Sequence, residues 1–319
     1  MSGEGAAMRR NKKIFRVLAL AGLVFATPGL VLSAPNVSAV TPSGARNPSY
    51  FQRAEGGIAL FARNQGLFSL TAISLQAPQK TCGTVTVAAA SDLADAMNEI
   101  VANFEKATGC NVRVSAGSSG NFLTQIENGA PFDLFFSADI EYPKKLERDG
   151  LAAPGSTYLY AVGKIVLWVG NDSGLDVGKG FGALRDPSVR KIAIANPLHA
   201  PYGRAAQEAL RKSGMYEEVK DRLVLGENIS QTAQFVESGN AQAGILALSL
   251  ALAPSLKQKG RYWAIPENLY APLEQGAVVL RGAQNPRGAR LLIEYIKSPG
   301  ATSLLERYGF SLPRGEKRR

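Results

Sequence analysis

The chain has 319 residues, enough for two domains of ordinary size, and 45% of them are hydrophobic, enough to bury a sizeable core. Its formal net charge is +10, but residues 1–80 contribute +7 and residues 314–319 contribute +3, which leaves residues 81–313 neutral. This neutral body has no basic stripe, basic-region helix or zinc-knuckle pattern, so the composition argues against nucleic-acid binding.

The N-terminal residues have the pattern of an export signal. Five basic residues precede a short apolar run over residues 17–26, and small residues follow it. This order is typical of a secretory signal peptide, which we predict over residues 1–39. A retained membrane anchor is the alternative, although the run is shorter than the roughly 20 residues that span a bilayer. We predict a poorly ordered spacer over residues 40–82 and a solvated basic tail over residues 314–319.

The two cysteines, Cys82 and Cys110, each come just before a predicted strand. Neighbouring parallel strands would bring the two strand starts together, and an exported protein meets an oxidising compartment. The sequence therefore favours a disulfide between them, with two buried free thiols as the alternative.

From residue 84 onward, short apolar β-branched runs alternate with segments of helical periodicity. The apolar side chains of residues 92–109 recur at helical spacing, and Gly109 is a typical helix stop. This alternation predicts an α/β fold with a largely parallel sheet. The strands are predicted over residues 84–90, 111–115 and 132–138, and the helices after them over residues 92–109, 121–129 and 140–150.

A second α/β set follows, and two long extended segments, residues 158–170 and 271–282, flank it. These segments predict two crossovers between two lobes, with a cleft between the lobes where a ligand could bind. We predict that the first lobe comprises residues 83–162 and 273–313 and the second comprises residues 163–272. Hinge bending would occur near residues 160–164 and 271–275.

The sequence argues against catalysis. A Ser-His-Asp triad would have to use His199, the one histidine of the chain, and no G-x-S-x-G elbow is present. The cysteines are not spaced for zinc, and there is no Walker A motif. Asp133 lies in an apolar strand, and Asp139 is better interpreted as a helix cap.

Four loops stand out because each lies between a predicted strand and the next helix: residues 89–92, 117–121, 196–203 and 226–230. In open α/β sheets, ligands bind beyond the carboxyl ends of the strands. Helix N-termini in such loops present unpaired N–H groups and partial positive charge, which suit an anion.

Each polar residue in these loops also has an ordinary structural explanation. Ser91, Ser119 and Asn228 could simply cap helices, and Tyr202 could be a packed turn aromatic. His199 is better interpreted as a turn residue that makes hydrogen bonds than as a ligand, and Arg204 could be a solvated helix residue.

The same loops resemble those of the periplasmic molybdate-binding proteins of ABC transporters, from about residue 84 to residue 313. Five segments in order carry the resemblance: VTVAAASDLADAM, AGSSGNFLTQIENGAPFDLFFSAD, ANPLHAPYGRAAQEAL, GENISQTAQFVESGNAQAGILALS and LLERYGF. The resemblance implies two α/β lobes, joined by two crossover strands, that close on a tetrahedral oxyanion.

The resemblance also implies the ligand set. Ser91 and Ser119 would donate their hydroxyls to the anion, and Asp92 and Ile229 would add backbone N–H groups. Tyr202 matches a position that supplies either a tyrosine hydroxyl or a backbone N–H. Some relatives have a ligand tyrosine where this chain has Ala247, so we expect the Tyr202 hydroxyl to replace it. Ser249 is a further candidate.

This ligand set implies a non-enzymatic, exported receptor for molybdate, and for tungstate because the two anions are almost the same size. No separate cofactor and no bare metal cation is expected, since molybdenum would be bound as its oxyanion. A membrane permease is the implied partner of a monomeric receptor. A site made only of neutral donors disfavours a protonated phosphate, whose O–H would find no acceptor. A sulfate receptor, a serine hydrolase using Ser118 or Ser119 with His199, and a regulator's sensing domain are the alternatives.

Overall fold

The computed structural model describes residues 82–313. The predicted signal peptide, nearly all of the predicted spacer and the basic tail lie outside the described residues. Each helix within residues 82–313 is either too short or too polar to span a bilayer.

The described part of the chain alternates between strands and helices. The strands are β1 (Thr84–Ala90), β2 (Asn111–Gly117), β3 (Leu134–Ser137), β4 (Tyr158–Gly163), β5 (Ile165–Gly170), β6 (Ile192–Ala195), β7 (Leu223–Gly226), β8 (Ala243–Ala247), β9 (Gly260–Ala264) and β10 (Leu273–Val279). The α-helices are α1 (Ala94–Thr108), α2 (Ser119–Glu127), α3 (Glu141–Arg148), α4 (Pro201–Lys212), α5 (Tyr216–Val219), α6 (Ile229–Glu237), α7 (Leu248–Leu252), α8 (Pro286–Ile296) and α9 (Pro299–Arg307).

The strands form two five-stranded sheets, one in each lobe. The first has the order β2-β1-β3-β10-β4 and the second the order β7-β6-β8-β5-β9. In each sheet the first three strands are parallel, while β10 in the first and β5 in the second run antiparallel to both of their neighbours. The predicted α/β fold with largely parallel sheets is therefore confirmed.

Alternating side chains of β1 supply two separate cores, one on each face of the first sheet. Val85 and Val87 pack with the apolar stripe of α1 and with α8 and α9. Ala88, on the opposite face, packs with Phe122 of α2 and with Leu146 of α3. A buried parallel strand with apolar residues on both faces produces this three-layer arrangement. Helix α1 ends at Gly109, which has the left-handed conformation (φ 69°) that glycine adopts most readily.

The chain passes between the lobes twice. Residues 158–170 are divided at Lys164 into β4, which belongs to the first sheet, and β5, which belongs to the second. The return passage runs from β9 in the second sheet to β10 in the first, through residues 265–272. Both crossovers therefore lie where the two sheets approach each other.

The sequence patterns missed six elements of the second lobe. These are three 3₁₀ segments at Val177–Arg185, Lys220–Arg222 and Glu267–Leu269, the short helices α5 and α7, and the edge strand β9. Strand β9 carries polar and half-exposed side chains, because it pairs with β5 on one side and lies at the sheet edge. Its sequence therefore lacks the continuous apolar run that marks the buried strands.

Cys82 and Cys110 form a disulfide bond. The bond links the chain just before β1 to the chain just before β2, and Thr84 pairs with Asn111 in the parallel ladder that follows. It closes a loop that contains the whole first β-α-β connection, with a sequence separation of 28 residues.

Loss of this disulfide should destabilise the first lobe, because an open loop restores conformational freedom to the unfolded chain. The expected loss is about 2–4 kcal/mol of unfolding free energy, measured by urea unfolding of the oxidised and the dithiothreitol-reduced protein. The double variant C82A/C110A serves as the control, since its unfolding should not respond to the reductant. Equal stability of the oxidised and reduced wild-type protein would contradict the prediction.

Candidate oxyanion-binding cleft

The four predicted loops meet at a small cavity between the lobes. Its volume is about 10 Å³, far below the roughly 300–1,000 Å³ typical of sites for organic ligands. The structure brings all five sequence-predicted site residues into its wall. The lining residues are Ala90, Ser91, Asp92, Gly117, Ser118, Ser119, Ala138, Ala200, Pro201, Tyr202, Asn228 and Ile229.

Helix N-termini from both lobes converge on this cavity. Helices α2, α4 and α6 begin at Ser119, Pro201 and Ile229, and a 3₁₀ turn begins at Ser91. The first N–H groups of a helix have no acceptor within the helix, and they carry partial positive charge. No acidic residue lies in the first turn of α2, α4 or α6, and no Lys or Arg lies among the lining residues. The wall therefore suits a small anion without a protein cation.

The two adjacent serines of the second loop have different roles. The Ser119 hydroxyl accepts a hydrogen bond from the Ala138 N–H (3.0 Å), so its own proton is left to donate to a ligand. The Ser118 hydroxyl instead donates to the His199 carbonyl across the lobes (2.6 Å) and lies 3.0 Å from His199 Nδ1. Ser119 is thus the better placed donor, and Ser118 holds the lobes together.

Ser91 and Ile229 lie on opposite lobes and are joined through the next residue of α6. The Ser230 hydroxyl donates to the Ser91 carbonyl (3.1 Å), and Ser91 itself is buried in the cavity wall. Asn228 caps α6 by accepting from the Gln231 N–H (3.0 Å). That cap does not use the N–H of Ile229, the first residue of the helix, so this N–H has no acceptor within the helix and lies beside the cavity.

The Tyr202 hydroxyl has a different partner from the one expected. It donates to Asp92 Oδ2 (2.9 Å) instead of being left free for the anion. Tyr202 also presents its backbone N–H in the first turn of α4. The geometry therefore favours the backbone N–H of Tyr202, and not its hydroxyl, as the group that faces a ligand.

A buried polar network explains this change. Gln275 on β10 donates from Nε2 to Asp92 Oδ2 (2.6 Å) and to the Tyr202 hydroxyl (3.0 Å). Gln275 accepts at Oε1 from the Tyr160 hydroxyl on β4 (2.7 Å). Two of these four residues lie on crossover strands, so the network ties the cavity wall to the hinge. Sequence reasoning placed Gln275 in the hinge but gave it no role; a polar residue within a buried strand was the available signal.

Asp92 carries the one carboxyl group among the lining residues. Burial raises its pKa to about 6, even though hydrogen bonds from Gln275 and Tyr202 act in the opposite direction. Its second oxygen, Oδ1, is buried without a hydrogen-bond partner. The expectation of a wall containing only neutral donors is therefore wrong in this respect.

The hydroxyl proton of Ser249, the further candidate, is already donated within the protein. Its hydroxyl donates to the Asp92 carbonyl (2.7 Å), so it supports the loop after β1 from the second lobe. Ala247 ends β8 and contributes no side-chain donor.

Polar contacts across the cleft hold the lobes in a closed arrangement. The Gly120 N–H donates to the His199 carbonyl (2.9 Å), and Asn121 hydrogen-bonds with Glu227. On another side of the cleft, Arg204 pairs with Asp139 (2.5 Å) and hydrogen-bonds with the Tyr142 hydroxyl (2.9 Å).

These contacts bear on two sequence expectations. Arg204 makes an interlobe ion pair with Asp139, while its side chain is still 41% exposed to solvent. Asp139 also accepts from the N–H of Glu141, the first residue of α3 (2.9 Å), but the N-cap residue of this helix is Ile140.

His199 lies between a serine and a carboxylate, which is the arrangement that a hydrolase would need. Its Nε2 is 3.6 Å from Glu227 Oε2, longer than a hydrogen bond, and Glu227 is largely exposed. The Ser118 proton is directed to the His199 carbonyl, and not to its ring. Within residues 82–313, no group of three or more His, Cys, Asp or Glu side chains could hold a metal ion.

Comparison with known proteins agrees with this architecture. Residues 85–311 match the family of bacterial extracellular solute-binding proteins. The chain is 42% identical over 229 residues to the molybdate-binding protein ModA of Azotobacter vinelandii, covering 72% of this chain and 90% of that protein. It is 40% identical over 228 residues to ModA of Rhodobacter capsulatus, covering 72% and 88%.

Among solved structures, the periplasmic molybdate-binding protein of Azotobacter vinelandii superposes with a TM-score of 0.68 at 34% identity, covering 72% of this chain and all of that one. The chain belongs to the family of bacterial extracellular solute-binding proteins.

Gly120→Ala should hinder closure of the lobes. An added Cβ would lie 2.5 Å from the His199 carbonyl oxygen, which belongs to the other lobe. In molybdate, the ligand that the sequence resemblance implies, small-angle X-ray scattering should give a larger radius of gyration for this variant than for wild type. Gly300→Ala is the matched control, because its Cβ meets open space. A variant as compact as wild type would contradict the prediction.

Proposed function

We propose that this protein is an exported receptor that captures molybdate, and with it tungstate, in the interlobe cavity and delivers the anion to an ABC-type permease. The observation that carries the proposal is the convergence of four helix or turn N-termini on one small cavity that has no cation in its wall. The 42% and 40% identical molybdate-binding relatives support this choice of anion.

The proposed donors are Ser91 and Ser119 through their hydroxyls, and Asp92, Tyr202 and Ile229 through their backbone N–H groups. A fully ionised dianion can accept a hydrogen bond at every oxygen, so a wall of donors satisfies it. Oriented N–H dipoles balance its charge in a buried site without solvent reorganisation. Sulfate has the same charge and shape, so the radius of the closed cavity must separate the two anions.

Delivery follows from the two-lobed architecture. Capture of the anion would close the lobes by bending at the crossovers around residues 160–164 and 271–275. The closed receptor, working as an extracytoplasmic monomer, would then dock on the permease, with the ATPase on the cytoplasmic side. The protein would use no cofactor and would release the anion chemically unchanged.

A receptor for another tetrahedral oxyanion, such as sulfate, is the alternative within the same class. The contact between Ser118 and His199 is the observation behind a second alternative, a secreted serine hydrolase. Both alternatives lead to distinct experimental results.

Ser91→Ala and Ser119→Ala should each weaken molybdate binding. Each variant removes one donor to a buried anion, which should cost about 1–3 kcal/mol of binding free energy, measured by isothermal titration calorimetry. Ser238→Ala is a suitable control, since this exposed serine follows α6 at the helix end remote from the cavity. Unchanged affinity in both cavity variants would refute the assigned site.

A panel of anions tests the ligand itself. Molybdate and tungstate should bind tightly, and sulfate and phosphate should bind weakly or not at all; the reverse order would reject the ligand assignment.

His199→Gln should keep most of the molybdate affinity, because His199 contributes to closure and not to the cavity wall. If the protein were a hydrolase, the wild-type protein would turn over an ester and the His199→Gln variant would not.

A further inference from the structure

The Asp92 carboxyl is the feature of the cavity that a simple anion receptor does not need. It lies in the wall of the cavity, it is 2% exposed, and no cation stands among the other lining residues. An ionised carboxyl on this residue would lie close to a dianion bound in this small cavity. Two like charges in one buried site repel each other strongly, and one of them is neutralised when a proton is available.

We propose that Asp92 takes up one proton when the cleft closes on a dianion, so that anion capture and proton capture occur together. The inference rests on the proposed function, because it requires an oxyanion in the cavity. The proton comes from solvent, it is bound at the carboxyl, and it returns to solvent when the anion leaves.

No charged side chain contacts the Asp92 carboxyl, so burial is opposed only by hydrogen bonds from neutral donors. Tyr202 from α4 and Gln275 from β10 both bond with Oδ2, and Ser249 from α7 bonds with the Asp92 backbone carbonyl. Tyr160 from β4 reaches Asp92 only through Gln275. All of these side chains are uncharged, and burial holds the pKa of both tyrosines well above its usual range, so neither titrates with Asp92.

The two carboxyl oxygens are not equivalent. Oδ2 receives the bonds from Gln275 and Tyr202, while Oδ1 is buried without any partner. A buried acceptor without a donor is costly; a proton on Oδ1 removes the negative charge and gives an O–H whose acceptor would be an oxygen of the bound anion. A protonated carboxyl also becomes a donor, which makes Asp92 chemically like the rest of the wall.

Electrostatics sets the pH range of the effect. Burial, partly opposed by hydrogen bonds, raises the pKa of Asp92 to about 6 without an anion, and a neighbouring dianion would raise it further. Because the pKa is higher in the bound state, the affinity is fully present below about pH 6. It then falls by up to tenfold per pH unit, until the pH exceeds the bound-state pKa.

Calorimetry on the full mature protein tests the proposal directly. Molybdate binding is titrated between pH 6 and pH 8.5, and at pH 7.5 in two buffers with different ionisation enthalpies. The difference between the two buffers gives the number of protons taken up per anion. We expect an uptake approaching one proton for wild type, together with weaker binding at higher pH.

The variant Asp92→Asn tests whether the pH dependence comes from a proton bound at Asp92, because asparagine keeps a hydrogen-bond donor but cannot titrate. Its amide can donate without titrating, so proton uptake should fall to near zero and the affinity should become flat across this pH range. Asp95→Asn is the matched control: it removes a half-buried carboxyl three residues away, outside the cavity wall. Its pH dependence should remain that of wild type.

Each outcome is decisive. Tight molybdate binding by wild type with a flat pH profile and no proton uptake would overturn the proton coupling and leave the proposed function intact. Phosphate binding that equals molybdate binding and strengthens toward pH 8 would show that ionised Asp92 accepts a hydrogen bond from the O–H of the ligand, which also overturns the proposal. Absence of molybdate binding at every pH, including pH 6, would reject the proposed function itself.

Discussion

The structure depends on a set of N–H groups that lack acceptors within their own helices. Helices α2, α4 and α6 and the turn at Ser91 all begin at the same cavity, so their partial positive charges face one another. Without a guest, four positive helix or turn ends in one small space repel each other. An anion placed there turns that repulsion into attraction, because every exposed N–H gains an acceptor and both lobes share the same guest.

Side-chain hydrogen bonds, as well as the backbone, connect the cavity wall to the hinge. Gln275 and Tyr160 come from the crossover strands β10 and β4, yet their hydrogen bonds end at Asp92 and Tyr202 in the cavity wall. Gly163, the last residue of β4, makes room for this network, since a Cβ there would lie 2.2 Å from the Tyr202 hydroxyl. Bending at this crossover must therefore separate Tyr202 on the second lobe from Gln275 on the first.

Sequence reasoning succeeded where the pattern is local. Continuous apolar runs identified the buried strands, and the strand–loop–helix order placed the four loops at one edge of each sheet, which is enough to assemble the cavity. It failed where the outcome depends on distant partners. The hydroxyl of Tyr202 turns to Asp92 because of Gln275, which is 183 residues from Asp92 in the chain. Likewise, Ser118 and Ser119 differ by one position in sequence, and two distant groups distinguish them: His199 of the other lobe at Ser118 and the Ala138 N–H at Ser119.

The placement of Arg204 shows how the cleft keeps positive charge away from the anion. Arg204 lies in the first turn of α4, two residues after Tyr202, yet it pairs with Asp139 and Tyr142 outside the cavity. A guanidinium inside the wall would attract any anion of sufficient charge, whatever its size. With that cation paired elsewhere, binding depends on how many short hydrogen bonds the wall can make at once. Since hydrogen bonds weaken steeply with distance and angle, the radius of the anion then decides the affinity.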